Sequence, residues 1–289
     1  SRNQLEFSKR FGWDLDQFPS WFSSWSQTPT ILRDTGEKQH GDGDHFVTAV
    51  TTVNRKEYLQ RFVFEWLSTK SISADATLIV ADDGSTDGTL EWLLDELDVG
   101  ESRLIVVRNN GSGIARQTNS ILDILSTMRA DTDAIFMCND DIRFLKSGWD
   151  DSYFSAMKYS GFDHLVYFNP DWKKPSHFEK SDRYESLVSY CSARDAMGCF
   201  YTLTPRLIDR LGFFDEQSFP VRGHSHVDYT IRACRCEAND THFLFDLLNS
   251  NEFIGMVMRD GYKRTFRTLS VKEMRLTTGH KELAKREAI

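Results

Sequence analysis

The sequence has no excess of basic residues and no long apolar run. Lys and Arg number 35 against 43 Asp and Glu, which gives a formal net charge of −8. Since affinity for nucleic acid depends on a basic face, this balance argues against a nucleic-acid-binding protein. No apolar run approaches the ~18 residues that a membrane-spanning helix needs. We therefore expect no transmembrane segment, although peripheral association with a membrane stays compatible with the sequence.

The cysteines lack the spacing of a metal site or of a disulfide framework. Their number is five, which is odd, and no two of them form a CxxC pair. They are Cys138, Cys191, Cys199, Cys234 and Cys236. Reduced and mostly buried thiols are the favoured interpretation, and they indicate a cytoplasmic protein.

The composition is that of a folded protein with a sizeable core. Hydrophobic residues make up 40% of the chain and charged residues 27%, which excludes global disorder. We expect an aromatic-rich N-terminal extension packed on the domain (1–45), a main domain (46–260) and a C-terminal tail or linker (261–289). The main domain has a nucleotide-binding half, 46–142, and an acceptor half, 143–260. Because the first residue is not Met, the sequence is also compatible with part of a longer, multidomain chain.

Strand and helix patterns alternate through the first half of the main domain. β-Branched and apolar runs predict four strands, and apolar residues at helical spacing predict a helix between each pair. The predicted strands are 46–53, 77–81, 103–108 and 134–138. Such an alternation predicts an α/β fold with a mainly parallel central sheet and crossover helices. Ligands of these sheets bind beyond the carboxyl ends of the strands, so the functional residues are expected there.

The second half is less regular. Short apolar runs predict strands over 164–168, 197–203 and 241–248. A Pro at the first helical position and a Gly past the end predict a short helix between Thr204 and Gly212. A further helix is predicted over 225–236.

Two acidic motifs follow predicted strands. The second strand leads into Asp82-Asp83-Gly84-Ser85-Thr86-Asp87, in which helix capping accounts for the later residues but does not require Asp82 and Asp83. The fourth strand leads into Asn139-Asp140-Asp141, where adjacent acids repel each other. A divalent cation, Mn²⁺ or Mg²⁺, bound to carboxylates and to substrate phosphates would offset that repulsion. A solvated turn is the alternative for either motif taken alone.

Taken together, these segments resemble the family 2 glycosyltransferases of the GT-A fold, the Rossmann-like fold of nucleotide-diphospho-sugar transferases. Order and spacing match over 46–142, and more loosely to about 260. The most specific element is the run Asp-Asp-Gly-Ser-Thr-Asp-Gly-Thr. The resemblance implies an inverting enzyme that moves a sugar from a nucleotide-sugar donor to a glycan or polysaccharide acceptor. A UDP-sugar is the favoured donor, with dTDP- and GDP-sugars as alternatives, and a divalent metal is the implied cofactor.

The resemblance assigns the nucleotide pocket to three strand ends. Thr52, Asn54 and Arg55 would line it. Asp82 and Asp83 would hold the base and the ribose by accepting their N–H and O–H hydrogens.

The resemblance also assigns phosphate and metal contacts. Arg116 would meet nucleotide or phosphate, since a guanidinium suits both. Asp141 would bind the metal, with Asp140 beside it as a second ligand or a nucleotide contact. Asn139 replaces the usual first aspartate, which implies weaker metal affinity or a hydrogen bond to the ribose. His280, in the C-terminal segment, is the proposed additional metal ligand, with a solvent-exposed tail histidine as the alternative.

The general base is ambiguous in the sequence. Aligning Asp228 and Arg232 with the family's helix motif puts His226 where the catalytic aspartate usually stands. Either His226 or Asp228 is chemically able to accept a proton from an attacking hydroxyl. We favour Asp228 because a carboxylate has this role in the family. Gly198 matches a glycine that borders the donor and acceptor, or else serves packing alone.

Two other functions stay open at this stage. A sugar-nucleotide nucleotidyltransferase has a similar fold. That class requires a Gly-rich loop after the first strand, and this chain has no such loop there. A non-catalytic glycan- or nucleotide-binding module derived from a transferase is kept open by Asn139 and His226.

Overall fold

The structure is a computed structural model. It describes residues 29–36, 43–71, 75–128, 131–168, 179–181, 183–190, 198–216, 219, 225–236, 238–239 and 244–257.

Eleven strands are present in these ranges. In chain order, β1 to β11 are Thr30–Asp34, His45–Thr52, Asp75–Asp82, Arg103–Arg108, Ala134–Asn139, Ile142–Phe144, Glu179–Lys180, Leu187–Tyr190, Phe200–Leu203, Leu244–Leu247 and Ile254–Met256. The central sheet has the order β1-β4-β3-β2-β5-β9. Its four inner strands are parallel, whereas β1 and β9 pair antiparallel at the two edges. The predicted parallel α/β sheet is confirmed.

Six α-helices flank this sheet in the described residues. They are α1 (Lys56–Thr69), α2 (Thr89–Glu91, which continues as a π-helical turn, Trp92–Glu96), α3 (Ile114–Thr127), α4 (Trp149–Ser160), α5 (Pro205–Leu211) and α6 (Ser225–Arg235). Buried side chains of α1, α4 and the π-helical turn share one apolar cluster with the sheet, and those of α3, α5 and α6 share another. The sheet is therefore covered on both faces, as a parallel sheet requires. None of these helices is long and apolar enough to cross a membrane.

Strand β2 shows how the two helical layers relate to the side chains at the carboxyl edge of the sheet. All eight of its residues are buried. Val47 and Ala49 pack in the α3 cluster, whereas Phe46 and Val50 pack in the α1 cluster. Because side chains alternate along a strand, the two residues at its carboxyl end face opposite layers.

Two small antiparallel sheets complete the described structure. Strand β6 pairs with β11, and β8 lies between β7 and β10. The first of these fixes the chain that follows the acidic pair, because the Val257 N–H donates to the Asp141 carbonyl at 3.0 Å.

The structure corrects several local predictions. Residues 30–34, assigned to the N-terminal extension, form edge strand β1. Residues 164–168 form no strand, and only an isolated bridge joins Val166 to Tyr201. The strand predicted over 241–248 contains β10, whereas helix α4 and strands β6, β7, β8 and β11 were not predicted. The N-terminal aromatic residues, Cys191 and the C-terminal segment lie outside the described residues.

Candidate active site

Polar side chains collect where β2, β3 and β5 end side by side. Thr52 pairs with Asp82 in the ladder between β2 and β3, and Thr51 pairs with Asn139 in the ladder between β2 and β5. The loops that follow these strands therefore meet at one edge of the sheet. This is the edge at which the sequence predicted a ligand.

The acidic pair lies on the α1 side of this edge and contacts Arg55. Asp140 Oδ1 is 2.6 Å from Arg55 Nη1, and its Oδ2 accepts a hydrogen bond from Thr52 Oγ1 at 2.7 Å. Asp141 Oδ2 is 3.4 Å from Arg55 Nη2. Both aspartates are buried, with 2% and 4% of their surface exposed. One guanidinium therefore bridges the two carboxylates.

Arg55 is held by local structure before helix α1. Its guanidinium carbon lies 4.3 Å from the centre of the Tyr58 ring. The preceding Asn54 has a φ of +50°, in the left-handed region that asparagine tolerates better than most residues. The Asn54 N–H donates to Ser85 Oγ at 2.8 Å, and Asn54 Oδ1 accepts from the Thr86 N–H at 2.7 Å. Asn54 thus joins the loop after β2 to the loop after β3.

Asp140 and Asp141 differ in how many of their oxygens are without a partner and so could bind a cation. Burial raises the pKa of Asp140 to about 7, although the Arg55 charge and the Thr52 hydroxyl lower it. Both oxygens of Asp140 have partners within the protein. Asp141 Oδ1, in contrast, is buried and has no hydrogen-bond partner in the described structure. The residues described contain no group of three His, Cys, Asp or Glu that could hold a metal by themselves.

Asp82 and Asp83 have different partners. Asp82 Oδ2 accepts from the N–H groups of Gly84 and Ser85 at 3.1 and 3.0 Å, while its Oδ1 is buried without a partner. Asp83 accepts from the Ser112 N–H through Oδ1 and from the Gly113 N–H through Oδ2, both at 2.9 Å. Burial raises the pKa of Asp83, against these backbone bonds, which lower it. Asp83 therefore holds the loop before α3, and Asp82 has the unsatisfied oxygen.

Arg116 lies in the first turn of α3 and pairs with an acid on another loop. Its Nη1 is 3.1 Å from Glu216 Oε1, and about a quarter of each side chain is exposed. This ion pair joins α3 to the segment that follows α5.

A small cleft lies on the other side of the same edge. Its walls come from β2, β5, β9, α3 and α6. They include Thr51, Ile114, Thr118, Asn139, Gly198, Tyr201, Phe214, Ser225 and His226. Hydroxyl, amide and imidazole groups therefore line this space, and one of them, Asn139, directly precedes the acidic pair in the chain.

His226 sits at the start of α6 and packs against Gly198. A Cβ added to Gly198 would overlap the His226 ring and lie 2.7 Å from the His226 Cβ. Gly198 is thus required for close approach of the imidazole, which agrees with the packing interpretation of this glycine.

Asp228 lies one half-turn further along α6 and is 1% exposed. The Arg232 Nε donates to Asp228 Oδ2 at 3.1 Å, and the two Nη atoms donate to the carbonyls of Leu211 and Phe213 at 2.9 and 3.0 Å. Asp228 therefore orients an arginine that fastens α6 to the end of α5. It is not among the residues that line the cleft.

Sequence reasoning missed Tyr58, Glu216 and the hydroxyl groups of Thr118 and Ser225. The spacing of Arg55 and Tyr58 by three residues at a helix start could have suggested their contact. The others depend on which loops meet at the cleft. His280 lies outside the described residues and stays a prediction.

Comparison with known proteins identifies the family of the chain and structures of similar fold. The profile of a family described as Glycosyl transferase family 2 matches residues 48–243, more than half of the chain. A relative from Acanthamoeba polyphaga mimivirus, named an uncharacterised glycosyltransferase, is 27% identical over 187 residues, covering 65% of this chain and 70% of the relative.

Two solved structures share the fold. S. aureus TarS 1-349 in complex with UDP-GlcNAc is 14% identical with a TM-score of 0.53, over 75% of this chain and 60% of that one. GalNAc-T7 with UDP, GalNAc and Mn²⁺ is 12% identical with a TM-score of 0.57, over 77% of this chain and 45% of that one. The match thus spans less than two thirds of either solved chain. At these identities it shows the GT-A fold.

Proposed function

The chain belongs to glycosyl transferase family 2, and we propose that it moves a sugar, with inversion, from a nucleotide-diphosphate donor to a hydroxyl of a glycan or polysaccharide. A UDP-sugar is the favoured donor, with dTDP- and GDP-sugars as alternatives. Solved structures of the same fold hold UDP or UDP-GlcNAc, which supports this choice. Family membership favours a glycosyltransferase over the nucleotidyltransferase.

The observation that carries the proposal is that two carboxylate oxygens at the carboxyl edge of the sheet lack hydrogen-bond partners in the described structure. Asp82 Oδ1 and Asp141 Oδ1 are both buried without hydrogen-bond partners. A buried acceptor without a partner costs free energy, about 1–3 kcal/mol, which a ligand recovers by donating or coordinating. Asp82 would accept an N–H or O–H of the nucleoside. Asp141 would take a cation that also touches the diphosphate.

The residues present fit a divalent cation of the kind that substrate phosphates help to hold. Mg²⁺ is usually bound through one or two carboxylates together with substrate phosphates, so Asp141 suffices as the described protein ligand. When bound, Mn²⁺ or Mg²⁺ would supply positive charge next to the leaving diphosphate. Asn139 would then donate or accept at the ribose or the sugar.

We assign the general base to His226 rather than to Asp228. In an inverting transfer the acceptor hydroxyl attacks the anomeric carbon opposite the diphosphate, and a base takes its proton. His226 lines the cleft beside Asn139, whereas Asp228 is buried against Arg232. A neutral imidazole is a competent base near pH 7.

The experiment is a panel of UDP-, dTDP- and GDP-sugars with Mn²⁺ or Mg²⁺. We expect one donor to raise the melting temperature and to be consumed, with inversion at the anomeric carbon seen by NMR. Asp141→Asn should abolish both responses, whereas the matched Asp123→Asn, half-buried on the outside of α3, should keep them. No consumption of any donor, with or without candidate acceptor glycans, would contradict the proposal.

A further inference from the structure

We propose that Arg55 is an internal counter-ion that keeps a divalent cation off Asp141 until a nucleotide diphosphate binds with it. The inference rests on the proposed function only in naming the diphosphate as the accompanying ligand. The role of Arg55 itself follows from contacts within the protein.

The first observation is that Arg55 lies closer to one aspartate than to the other. It is 2.6 Å from Asp140, whose other oxygen is taken by Thr52, but 3.4 Å from Asp141. Asp140 is therefore the anchor of the guanidinium. Asp141 has one weakly held oxygen and one buried oxygen without a partner.

The second observation is that Arg55 is fixed in place. Its side chain is only 11% exposed, and the Tyr58 ring lies under the guanidinium at 4.3 Å. A cation–π contact of this kind strengthens where water is excluded. The positive charge is thus held beside Asp141 by contacts within the protein.

The charges then determine the order of binding. The guanidinium already offsets much of the negative charge of the acidic pair, so the pair attracts a doubly charged ion less than two carboxylates without a counter-ion would. A lone cation at Asp141 Oδ1 would also lie close to a fixed positive charge, and this repulsion is weakly screened in a buried site. A diphosphate reverses the balance because it adds negative charge and further oxygen ligands.

Positive coupling between cation and nucleotide follows. Each ligand should raise the affinity of the protein for the other by the same factor, since binding free energies are linked. Arg55 need not leave the site for this to happen, because its short contact with Asp140 is independent of Asp141.

The test is calorimetric titration with Mn²⁺, without and with UDP, of the wild-type protein, Arg55→Gln and Arg55→Lys. We expect Arg55→Gln to bind Mn²⁺ alone at least tenfold more tightly than the wild type, and Arg55→Lys to stay within threefold of it. UDP should raise the Mn²⁺ affinity of the wild type by a larger factor than that of Arg55→Gln. Adding Asp141→Asn to Arg55→Gln should remove the gain, which locates the ion.

Arg103→Gln is the matched control. It also removes a guanidinium that is paired with an aspartate, 2.7 Å from Asp34, but Arg103 lies at the amino end of β4, away from the candidate site. It should leave Mn²⁺ binding unchanged. Arg55→Met, which keeps the stem against Tyr58, replaces Arg55→Gln if circular dichroism shows that the latter is unfolded.

The outcomes separate the two proposals. Equal Mn²⁺ affinity in the wild type and in the charge-removing variants, with UDP still recruiting Mn²⁺, overturns the counter-ion role and leaves the donor assignment standing. Tighter Mn²⁺ binding in the variants, with no effect of UDP on any protein, supports the exclusion of the lone cation but contradicts the proposed donor.

Discussion

Gly198 and His226 are in direct contact, and the contact leaves no room for a side chain at position 198. Gly198 also has a φ of +39°, in the region that favours glycine. One residue comes from the segment that leads into β9 and the other from the start of α6. Their contact therefore fixes the imidazole at the wall of the cleft.

Gly198→Ala should displace His226 and lower turnover at least tenfold, with a loss of about 1–3 kcal/mol in stability from overpacking and backbone strain. Steady-state kinetics and urea unfolding measure the two effects. Gly100→Ala is the matched control, because Gly100 also has a positive φ, +61°, but nothing lies within 4 Å of an added Cβ. Normal turnover in Gly198→Ala would show that His226 needs no such support.

Asp82→Asn should weaken UDP binding at least tenfold while the fold stays intact. The amide can keep an oxygen for the N–H groups of Gly84 and Ser85, but it replaces the unpaired carboxylate oxygen by a donor. Calorimetry with UDP and Mn²⁺ measures the affinity, and thermal unfolding checks the fold. Asp98→Asn, in an exposed turn, is the control. Unchanged UDP affinity would remove Asp82 from the nucleoside site.

Asp83→Ala should behave differently from Asp82→Asn. It removes both acceptors for the N–H groups of Ser112 and Gly113, so the loop before α3 should lose order. We expect a loss of roughly 2 kcal/mol in stability along with weaker UDP binding. If UDP affinity falls while the free energy of unfolding stays at the wild-type value, Asp83 contacts the nucleoside and does not hold the loop.

His164 should make stability depend on pH on the acid side. Burial lowers the pKa of His164 from 6.5 to about 4, while the Thr202 carbonyl raises it. The neutral ring donates a hydrogen bond from Nδ1 to that carbonyl at 2.9 Å. Its Nε2 lies 3.1 Å from Thr230 Oγ1. Its contribution is fully present above about pH 6.5 and is lost as the pH falls toward 4, up to about 3 kcal/mol. Urea unfolding of His164→Gln from pH 4 to 7 should show a flatter acid limb than the wild type, and an equal slope would contradict this.

The sequence predicts those parts of the fold whose signals are local. Strands β2 to β5 are apolar runs buried on both faces, and acidic residues at the ends of β3 and β5 mark the edge of the candidate site. Edge strand β1 was missed because Thr30–Asp34 is short and largely exposed, so it carries no alternating apolar pattern. Helix α4 was missed because Asp150, Asp151 and several polar residues weaken its periodicity.

The contacts within the site depend on pairings that no local pattern contains. Arg55 meets Asp140 because β2 and β5 are neighbours in the sheet, although other helices and strands separate them along the chain. The same holds for Gly198 and His226. The choice between Asp228 and His226 as base depends on the position of Arg232, because Arg232 forms an ion pair with Asp228.

The most direct test of the assigned base is turnover of the donor found in the panel by the wild type, His226→Ala and Asp228→Asn at saturating substrate. We predict that His226→Ala lowers kcat by about 10²–10⁴-fold with little change in KM. Asp228→Asn should instead lower the free energy of unfolding, because it weakens the anchor of α6, while the folded fraction keeps most of its turnover. Full activity in His226→Ala, with loss of kcat confined to a well-folded Asp228→Asn, would contradict the assignment.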